Sequence, residues 1–255
     1  MSNLNSNTHT ATSIKKALFT LFACFSLAAL PGVAVAKKVY SPFVEEGELE
    51  IVYYLDYAFD GDPAKDNAAK HQFELEYGVT DRWKSALYGV FTRNPGQSFR
   101  YSGLKWENTY QLFDKGARWL DAGLYLEYSI PEGSSNGPDA LEFKLLLEKS
   151  VEKITHTANL ILEKELGANA TSGTAVGYAW RSKMTWLEHA SPAIELYGSL
   201  GEVGDTTTLS QQSHQLGPVF YGELPGELKY EIGYLFGLTS GSYDGMLKLI
   251  LEYEF

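Results

Sequence analysis

Three things are scarce in this sequence: cysteine, basic side chains and long apolar runs. The single cysteine, Cys24, lies in an apolar stretch near the N-terminus, and residues 37–255 contain none. A protein made of residues 37–255 has no disulfide and no thiolate for catalysis or for binding zinc. Beyond residue 36 no apolar run approaches the roughly 20 residues of a transmembrane helix, so no helical membrane span is expected there.

Basic side chains are outnumbered by acidic ones. The chain has 21 Lys and Arg against 32 Asp and Glu, and the first 36 residues contain two of the lysines and no acidic residue. The remaining chain therefore has 19 basic and 32 acidic side chains, a net charge of about −13. Nucleic acid is excluded as a partner, because phosphate binding needs a basic face.

The N-terminal 36 residues have the three-part pattern of a secretory signal peptide. Lys15 and Lys16 form a positive start, residues 17–30 are apolar, and Ala34-Val35-Ala36 supplies the small residues of a cleavage site. The apolar part is too short to span a bilayer as a helix. We predict that residues 1–36 are cleaved off and that residues 37–255 form the mature domain.

A period of two dominates residues 37–255. In residues 49–59, apolar side chains occupy every second position, and residues such as Glu50 and Asp56 lie between them. This alternation predicts a strand with two unlike faces. Seven more regular and four less regular segments share the pattern: 73–79, 104–112, 120–129, 141–148, 176–186, 228–236, 247–255, and 83–93, 154–165, 193–200, 212–221. The sequence thus predicts an all-β fold of about twelve strands.

Strand length, connections and aromatic residues favour a transmembrane barrel. Strands of about 9–13 residues are the length that crosses a bilayer when tilted, whereas soluble strands average about five to six. Short turns alternate with longer Gly-, Pro-, Asn- and Ser-rich loops. The apolar face has aromatic residues near both strand ends: Tyr77, Trp83, Tyr110, Trp186, Tyr230, Tyr253 and Phe255 by the short turns, and Tyr57, Phe59, Phe91, Tyr128, Tyr178 and Phe236 by the long loops. Two aromatic bands are typical of a protein with two membrane interfaces.

A soluble two-sheet sandwich is the competing fold. It explains the alternation equally well, because its apolar face would point to a shared core. It explains less well the long strands, the alternation of short and long connections and the aromatic apolar face. We therefore predict a single antiparallel up-and-down transmembrane β-barrel of about twelve strands in the outer membrane of a Gram-negative bacterium.

Two short motifs resemble known outer-membrane barrels. Residues 74–83, Glu-Leu-Glu-Tyr-Gly-Val-Thr-Asp-Arg-Trp, resemble a strand–turn–strand unit of small proteobacterial barrels, including the transporters grouped under the meta-pathway of phenol degradation. The ending Leu-Glu-Tyr-Glu-Phe resembles the strand that the barrel-assembly machinery recognises, with Tyr253 and Phe255 as its aromatic positions. The resemblance implies transport or uptake, with outer-membrane lipids and the assembly machinery as partners.

The polar face of such a barrel would line its interior. The candidate lumen-lining residues are Glu74, Glu76, Lys105, Glu107, Asp121, Glu127, Glu142, Lys144, Glu148, Arg181, Lys183 and Glu231. Two alternatives remain open. The excess carboxylates could be solvated in a narrow, cation-favouring pore, or ion pairs and bulky tyrosines could seal the interior. The first predicts a passive channel or uptake pore for a small solute, and the second a closed barrel with a structural, adhesive or lipid-hydrolysing role.

Catalytic and cofactor-binding motifs are not evident. A lipid hydrolase needs a serine and a histidine on one face, but Ala158 lies two positions after His156, and Ser182 belongs to another predicted strand. The glycines of residues 198–204 lack the strand-to-helix context of a phosphate loop. We expect no enzyme activity, no cofactor and no metal ion, and interpret paired carboxylates such as Glu74 and Glu76 as wall charges.

Overall fold

The computed structural model describes residues 37–133, 137–185 and 190–255. The predicted signal peptide and Trp186 lie outside these ranges. The strands are β1 (Leu49–Phe59), β2 (Ala69–Thr80), β3 (Trp83–Arg93), β4 (Arg100–Gln111), β5 (Asp121–Pro131), β6 (Asp139–Val151), β7 (Ile154–Leu166), β8 (Ala175–Met184), β9 (Ser191–Glu202), β10 (Asp205–Thr206), β11 (Ser213–Leu224), β12 (Leu228–Gly237) and β13 (Gly245–Glu254). No helix able to cross a membrane occurs in this part of the chain.

Twelve of these strands form a closed antiparallel barrel, which confirms the predicted fold. Each long strand pairs with its neighbours in the chain, and β9 pairs with both β8 and β11. The first and last strands pair along ten residues, with Tyr53 opposite Leu251, and this pairing closes the barrel. The two-residue β10 pairs only with the end of β9, in the connection that follows it.

The two faces of the wall are those that the period of two predicts. Leu75 and Trp106 are 52% and 51% exposed on the outside, whereas Glu74 and Glu107 next to them are 2% and 1% exposed on the inside. In a soluble sandwich the apolar side chains would be buried and the carboxylates exposed. The barrel therefore has an apolar outer surface and a charged, buried interior.

The connections at the two ends differ in length, and one departs from the prediction. On the side where β1 begins and β13 ends, β2 and β3 are joined through Asp81 and Arg82 alone, and a two-residue turn at Glu152 joins β6 and β7. The connection between β4 and β5, where the sequence predicts a short turn at Asp114–Ala117, spans residues 112–120, although Ala117 N donates to Asp114 O at 2.9 Å within it. The opposite end has the longer loops.

Residues 37–48, here called the N-terminal segment, form no strand of the wall. They precede β1 and run inside the barrel, where Val39 and Tyr40 are only 2% and 3% exposed. No sequence pattern predicts this placement, since the segment has neither a period of two nor a helical period.

Candidate functional site in the barrel interior

The N-terminal segment enters the barrel at the short-turn end. Gly47 N donates to Gly78 O at 2.8 Å, which joins the segment to the end of β2. Further in, Val44 N donates to Gln111 Oε1 at 3.0 Å, at the end of β4. These bonds satisfy backbone groups that have no strand partner, so the segment is held by the wall itself.

The middle of the segment is fixed by one asparagine of β7. Tyr40 N donates to Asn159 Oδ1 and Asn159 Nδ2 donates to Tyr40 O, both at 2.8 Å. Asn159 is fully buried, so its amide would be unsatisfied without the segment. The Tyr40 ring lies 4.7 Å from the Tyr125 ring, and Lys144 Nζ lies 4.1 Å from the Tyr40 ring centre.

The start of the segment reaches the far side of the interior. Lys38 Nζ donates to Tyr54 OH at 2.8 Å and lies 3.9 Å from Glu74 Oε2. Lys37 Nζ lies 5.0 Å from the centre of the Tyr197 ring. The segment thus contacts β1, β2, β4, β5, β6, β7 and β9 and crosses the interior from wall to wall.

Two inward glycines make room for the segment. A Cβ built at Gly78 would overlap the carbonyl oxygen of Glu45, and one at Gly123 would lie 2.9 Å from Pro42 Cβ. Any larger side chain at these two positions would displace the segment. Glycines on the polar face of a strand were thus a sequence signal that something packs against the inner wall, although they do not identify it.

The predicted lumen-lining residues lie on the inward side of the wall, most of them in ion pairs. The close pairs are Lys84–Glu76 and Lys105–Glu127 at 2.7 Å, Lys144–Glu142 at 2.9 Å, Lys248–Glu195 at 2.8 Å, Lys248–Glu231 at 2.9 Å and Arg181–Glu148 at 3.8 Å. Glu107 instead accepts hydrogen bonds from the hydroxyls of Tyr88 and Tyr125.

Two of the predicted residues lie at the short-turn end rather than deep inside. Asp121 Oδ1 accepts a hydrogen bond from Gly116 N at 2.7 Å and stabilises the connection before β5. Lys183 lies 5.1 Å from the Tyr221 ring centre and lines a cavity of about 320 Å³. Arg181, Lys229, Glu231 and Glu252 also line this cavity, which forms a charged vestibule at that end.

The outer surface contains a serine–histidine pair, which corrects the expectation that His156 has no serine on its face. Ser182 is directly opposite His156 in the pairing of β7 with β8, and His156 Nδ1 lies 2.9 Å from Ser182 Oγ. Ser182 Oγ also accepts a hydrogen bond from Trp180 Nε1 at 2.9 Å. Within the described ranges, no hydrogen bond is found to the other ring nitrogen of His156.

The predicted interface aromatics within the described ranges lie on the outer face. Tyr77, Trp83 and Tyr110 are between 37% and 48% exposed near the short turns. Tyr128, Tyr178 and Tyr230 are half-buried on the same face. Tyr253 and Phe255 stack edge to face, with ring centroids 4.9 Å apart, at the end of β13.

Comparison with known proteins identifies no family for this chain. No protein-family model matches the chain, and no curated protein matches it significantly. Among solved structures it is similar to a bacterial polysaccharide outer-membrane secretin (10% identity, 83% of this chain, 99% of that one, TM-score 0.42). It is also similar to LpxR from Salmonella typhimurium (7% identity, 81% of this chain, 100% of that one, TM-score 0.46). A third similar structure is OmpF of Salmonella typhi in complex with daunomycin (11% identity, 82% of this chain, 96% of that one, TM-score 0.36). Likenesses with TM-scores this low carry no argument about this chain.

Proposed function

We propose that this protein is an outer-membrane channel for a small cationic or neutral solute, closed at rest by its own N-terminal segment. The outer surface supports the membrane location. Leu87, Leu75 and Trp106 are more than half exposed in the middle of their strands. An apolar band of such residues around the whole molecule is unfavourable in water and is typical of a surface that contacts lipid. A Gram-negative outer membrane is the bilayer in which such barrels are found.

The proposal depends on the fact that the N-terminal segment, rather than the wall side chains alone, blocks the interior. A barrel with a purely structural role can be sealed by wall side chains alone, as small barrels are. With residues 1–36 removed as predicted, the piece that crosses the interior is connected covalently only where it leads into β1, and it is otherwise held by hydrogen bonds, ring contacts and the Lys38–Glu74 ion pair. Such contacts break and re-form without disturbing any strand pairing, so the segment can leave while the barrel persists.

The interior charge favours cations over anions. Glu107 has no basic partner within salt-bridge distance among the described residues, and its carboxylate relies on tyrosine hydroxyls. If the segment left, Lys38 would leave with it, and Glu74 would also lose its cation. The opened path would therefore be lined by carboxylates in excess, which attract cations and repel anions.

Planar-bilayer recording with and without the segment tests this function. The complete residues 37–255 should give rare, brief openings. A variant lacking residues 37–47 should conduct steadily, with a reversal potential that shows cation preference, and Glu107→Gln in that variant should weaken the preference. Heat-modifiable migration in gels would verify that each barrel is folded. Silence of both folded proteins would favour a closed structural or adhesive barrel instead.

We also propose that the His156–Ser182 pair is structural and that the protein is not a lipid hydrolase. A catalytic serine needs a histidine oriented by a third group, and none is found for His156 in the described part of the chain. Two polar side chains that hydrogen-bond to each other cost less free energy on an apolar surface than either would alone. Purified protein and the His156→Ala variant should both release fatty acid from phospholipid vesicles only at background rate. Hydrolysis that His156→Ala abolishes would contradict this.

The last two aromatic side chains serve assembly in this proposal. Phe255 is 66% exposed and Tyr253 43%, both accessible beside the closing pair of strands. Replacing Phe255 with Ser should lower the amount of folded barrel in the outer membrane of a producing cell without changing the unfolding midpoint of the purified protein.

A further inference from the structure

Three carboxylates converge inside the wall near β2 and β4. One oxygen from each of Glu74, Glu76 and Glu107 lies within 4.8 Å of the others, and all three side chains are at most 3% exposed. The strand register explains the convergence, because Ala86 of β3 lies between Glu76 and Glu107 and its small side chain leaves the space open. Oxygens that share one Ca²⁺ at about 2.3–2.6 Å are separated by no more than about 5 Å.

Several oxygens of this cluster lack hydrogen-bond partners. In the described ranges, Glu74 Oε1, Glu107 Oε1 and the neighbouring Thr109 Oγ1 are buried and unpartnered. Buried polar atoms normally have a partner in the protein, a water or an ion. Carboxylate and hydroxyl oxygens are ligands suited to hard divalent cations.

The charges of the cluster indicate that it lacks positive charge when Lys38 is absent. Lys84 of the wall strand β3 lies 2.7 Å from Glu76 and compensates one carboxylate. Lys38 lies 3.9 Å from Glu74 and compensates a second, but it belongs to the N-terminal segment. With Lys38 gone, three carboxylates and one lysine leave two negative charges, which one divalent cation balances.

A second acidic cluster at the short-turn end provides the contrast. Glu48, Glu50 and Glu254 also bring oxygens together. Lys229 already lies among them, at 3.8, 3.2 and 3.1 Å, and this amine comes from the wall rather than from a removable segment. That cluster therefore has a built-in cation and needs none from solution.

We propose that Glu74, Glu76 and Glu107, with Thr109, form a binding site for a divalent cation of the Ca²⁺ type, and that this ion and Lys38 exclude each other. Binding of the ion then favours departure of the N-terminal segment, because each occupant compensates the same carboxylates. The consequence for opening rests on the proposed channel function, whereas the binding site itself does not.

Terbium luminescence excited through tyrosine measures this site directly. Tb³⁺ takes the same oxygen ligands as Ca²⁺, and the Tyr54, Tyr88 and Tyr125 hydroxyls bond to Glu74 and Glu107, close enough to sensitise it. Protein in detergent, freed of lipopolysaccharide and chelator, should show saturable luminescence that Ca²⁺ removes. Lys38→Met should tighten binding tenfold or more, and Glu107→Gln should weaken it tenfold or more.

The matched control is Glu148→Gln, an inward carboxylate on β6 that bonds to Thr157 at 2.9 Å. It should leave terbium affinity unchanged. If Lys38→Met disturbs the barrel, the variant lacking residues 37–47 replaces it. Absence of saturable luminescence in a folded variant without Lys38 would overturn the site. Equal affinity with and without Lys38 would overturn the exclusion.

Channel recording separates this inference from the proposed function. In chelator, the variant lacking residues 37–47 should still conduct, because no ion is needed once the segment is absent. Silence of that variant together with normal terbium binding would remove the channel and keep the site. In the complete protein, Ca²⁺ should raise the open probability at least fivefold, and Glu107→Gln should abolish that response.

Discussion

Individual charged residues stabilise the interior through ion pairs with each other. Lys248 and Glu195 are both completely buried and lie 2.8 Å apart, with Glu231 2.9 Å from the same amine. A buried ion pair adds little over a well-packed apolar pair, but removing one partner leaves an uncompensated charge. The interior therefore tolerates matched changes better than single ones.

The first prediction concerns this pair. Lys248→Met should lower the free energy of unfolding by about 3–5 kcal/mol, because Glu195 and Glu231 lose their shared cation. Urea unfolding in lipid vesicles, followed by tryptophan fluorescence, measures the change. The double variant Lys248→Met with Glu195→Gln should recover part of the loss; a double variant less stable than the single one would contradict the pairing.

The second prediction concerns the glycine under Pro42. Gly123→Ala should push the N-terminal segment off the wall, since the new methyl group would meet the proline ring at 2.9 Å. Bilayer recordings should show more frequent openings than for the unchanged protein. Gly89→Ala is the matched control, because its Cβ would point outward with 3.8 Å to the nearest atom. Equal opening frequencies in both variants would show that the segment adapts to the methyl group.

Residue orientation was largely predictable from sequence, whereas residue neighbours were not. The period of two identifies which side chains share a face of one strand, so the inward carboxylates and outward leucines followed directly. Which residue lies opposite on the next strand depends on register, and register depends on turn lengths that sequence gives only within a residue or two. For this reason the proximity of Ser182 to His156 was missed.

In the proposed function, the element with the largest effect is the one without regular structure. Residues 37–48 carry no repeat, because the segment bonds to side chains of the wall rather than to a strand neighbour. Its contacts depend on residues of several strands far apart in the chain, such as Asn159, and none of those pairings is visible locally. Sequence patterns therefore predicted the wall but not what fills it.

The third prediction tests whether this segment moves. Val39→Cys places the sole thiol of residues 37–255 in the buried part of the segment, so a charged thiol reagent should react slowly. Adding Asn159→Ala removes two hydrogen bonds to Tyr40 and should raise the labelling rate roughly fivefold or more, since one net hydrogen bond contributes about 1 kcal/mol. Leu209→Cys in an outer loop serves as control, with fast labelling in both backgrounds. Unchanged labelling of Val39→Cys would mean that Asn159 does not hold the segment.

For the whole molecule, the decisive property is that apolar side chains face outward and charged side chains face inward, the reverse of a soluble domain. Each of the twelve strands in the closed ring pairs with a neighbour on both sides, so the sheet has no free edge, as a bilayer requires. The count of about twelve strands and their even number followed from the sequence, because each strand repeats the same simple pattern.

The fourth prediction separates membrane from water around this surface. Leu87→Arg, at the middle of β3, should lower the free energy of unfolding in vesicles by about 2–4 kcal/mol, because the charge would face acyl chains. Leu209→Arg is the matched control: Leu209 is 68% exposed and Leu87 62%, but Leu209 lies in a loop. In a soluble sandwich, both changes would leave the free energy of unfolding nearly unchanged. Equal changes in the free energy of unfolding for the two variants would therefore contradict the membrane assignment.

The inward course of the N-terminal segment also determines where the protein can be extended. Lys37 lies beside Tyr197 inside the barrel, so in a protein cleaved after Ala36 as predicted, an affinity peptide attached ahead of Lys37 would compete for space with the inner wall. Such a peptide should unseat the segment and yield a leaky preparation. The same peptide inserted in the outer loop around Leu209 would project into solvent and leave the closed state as it is.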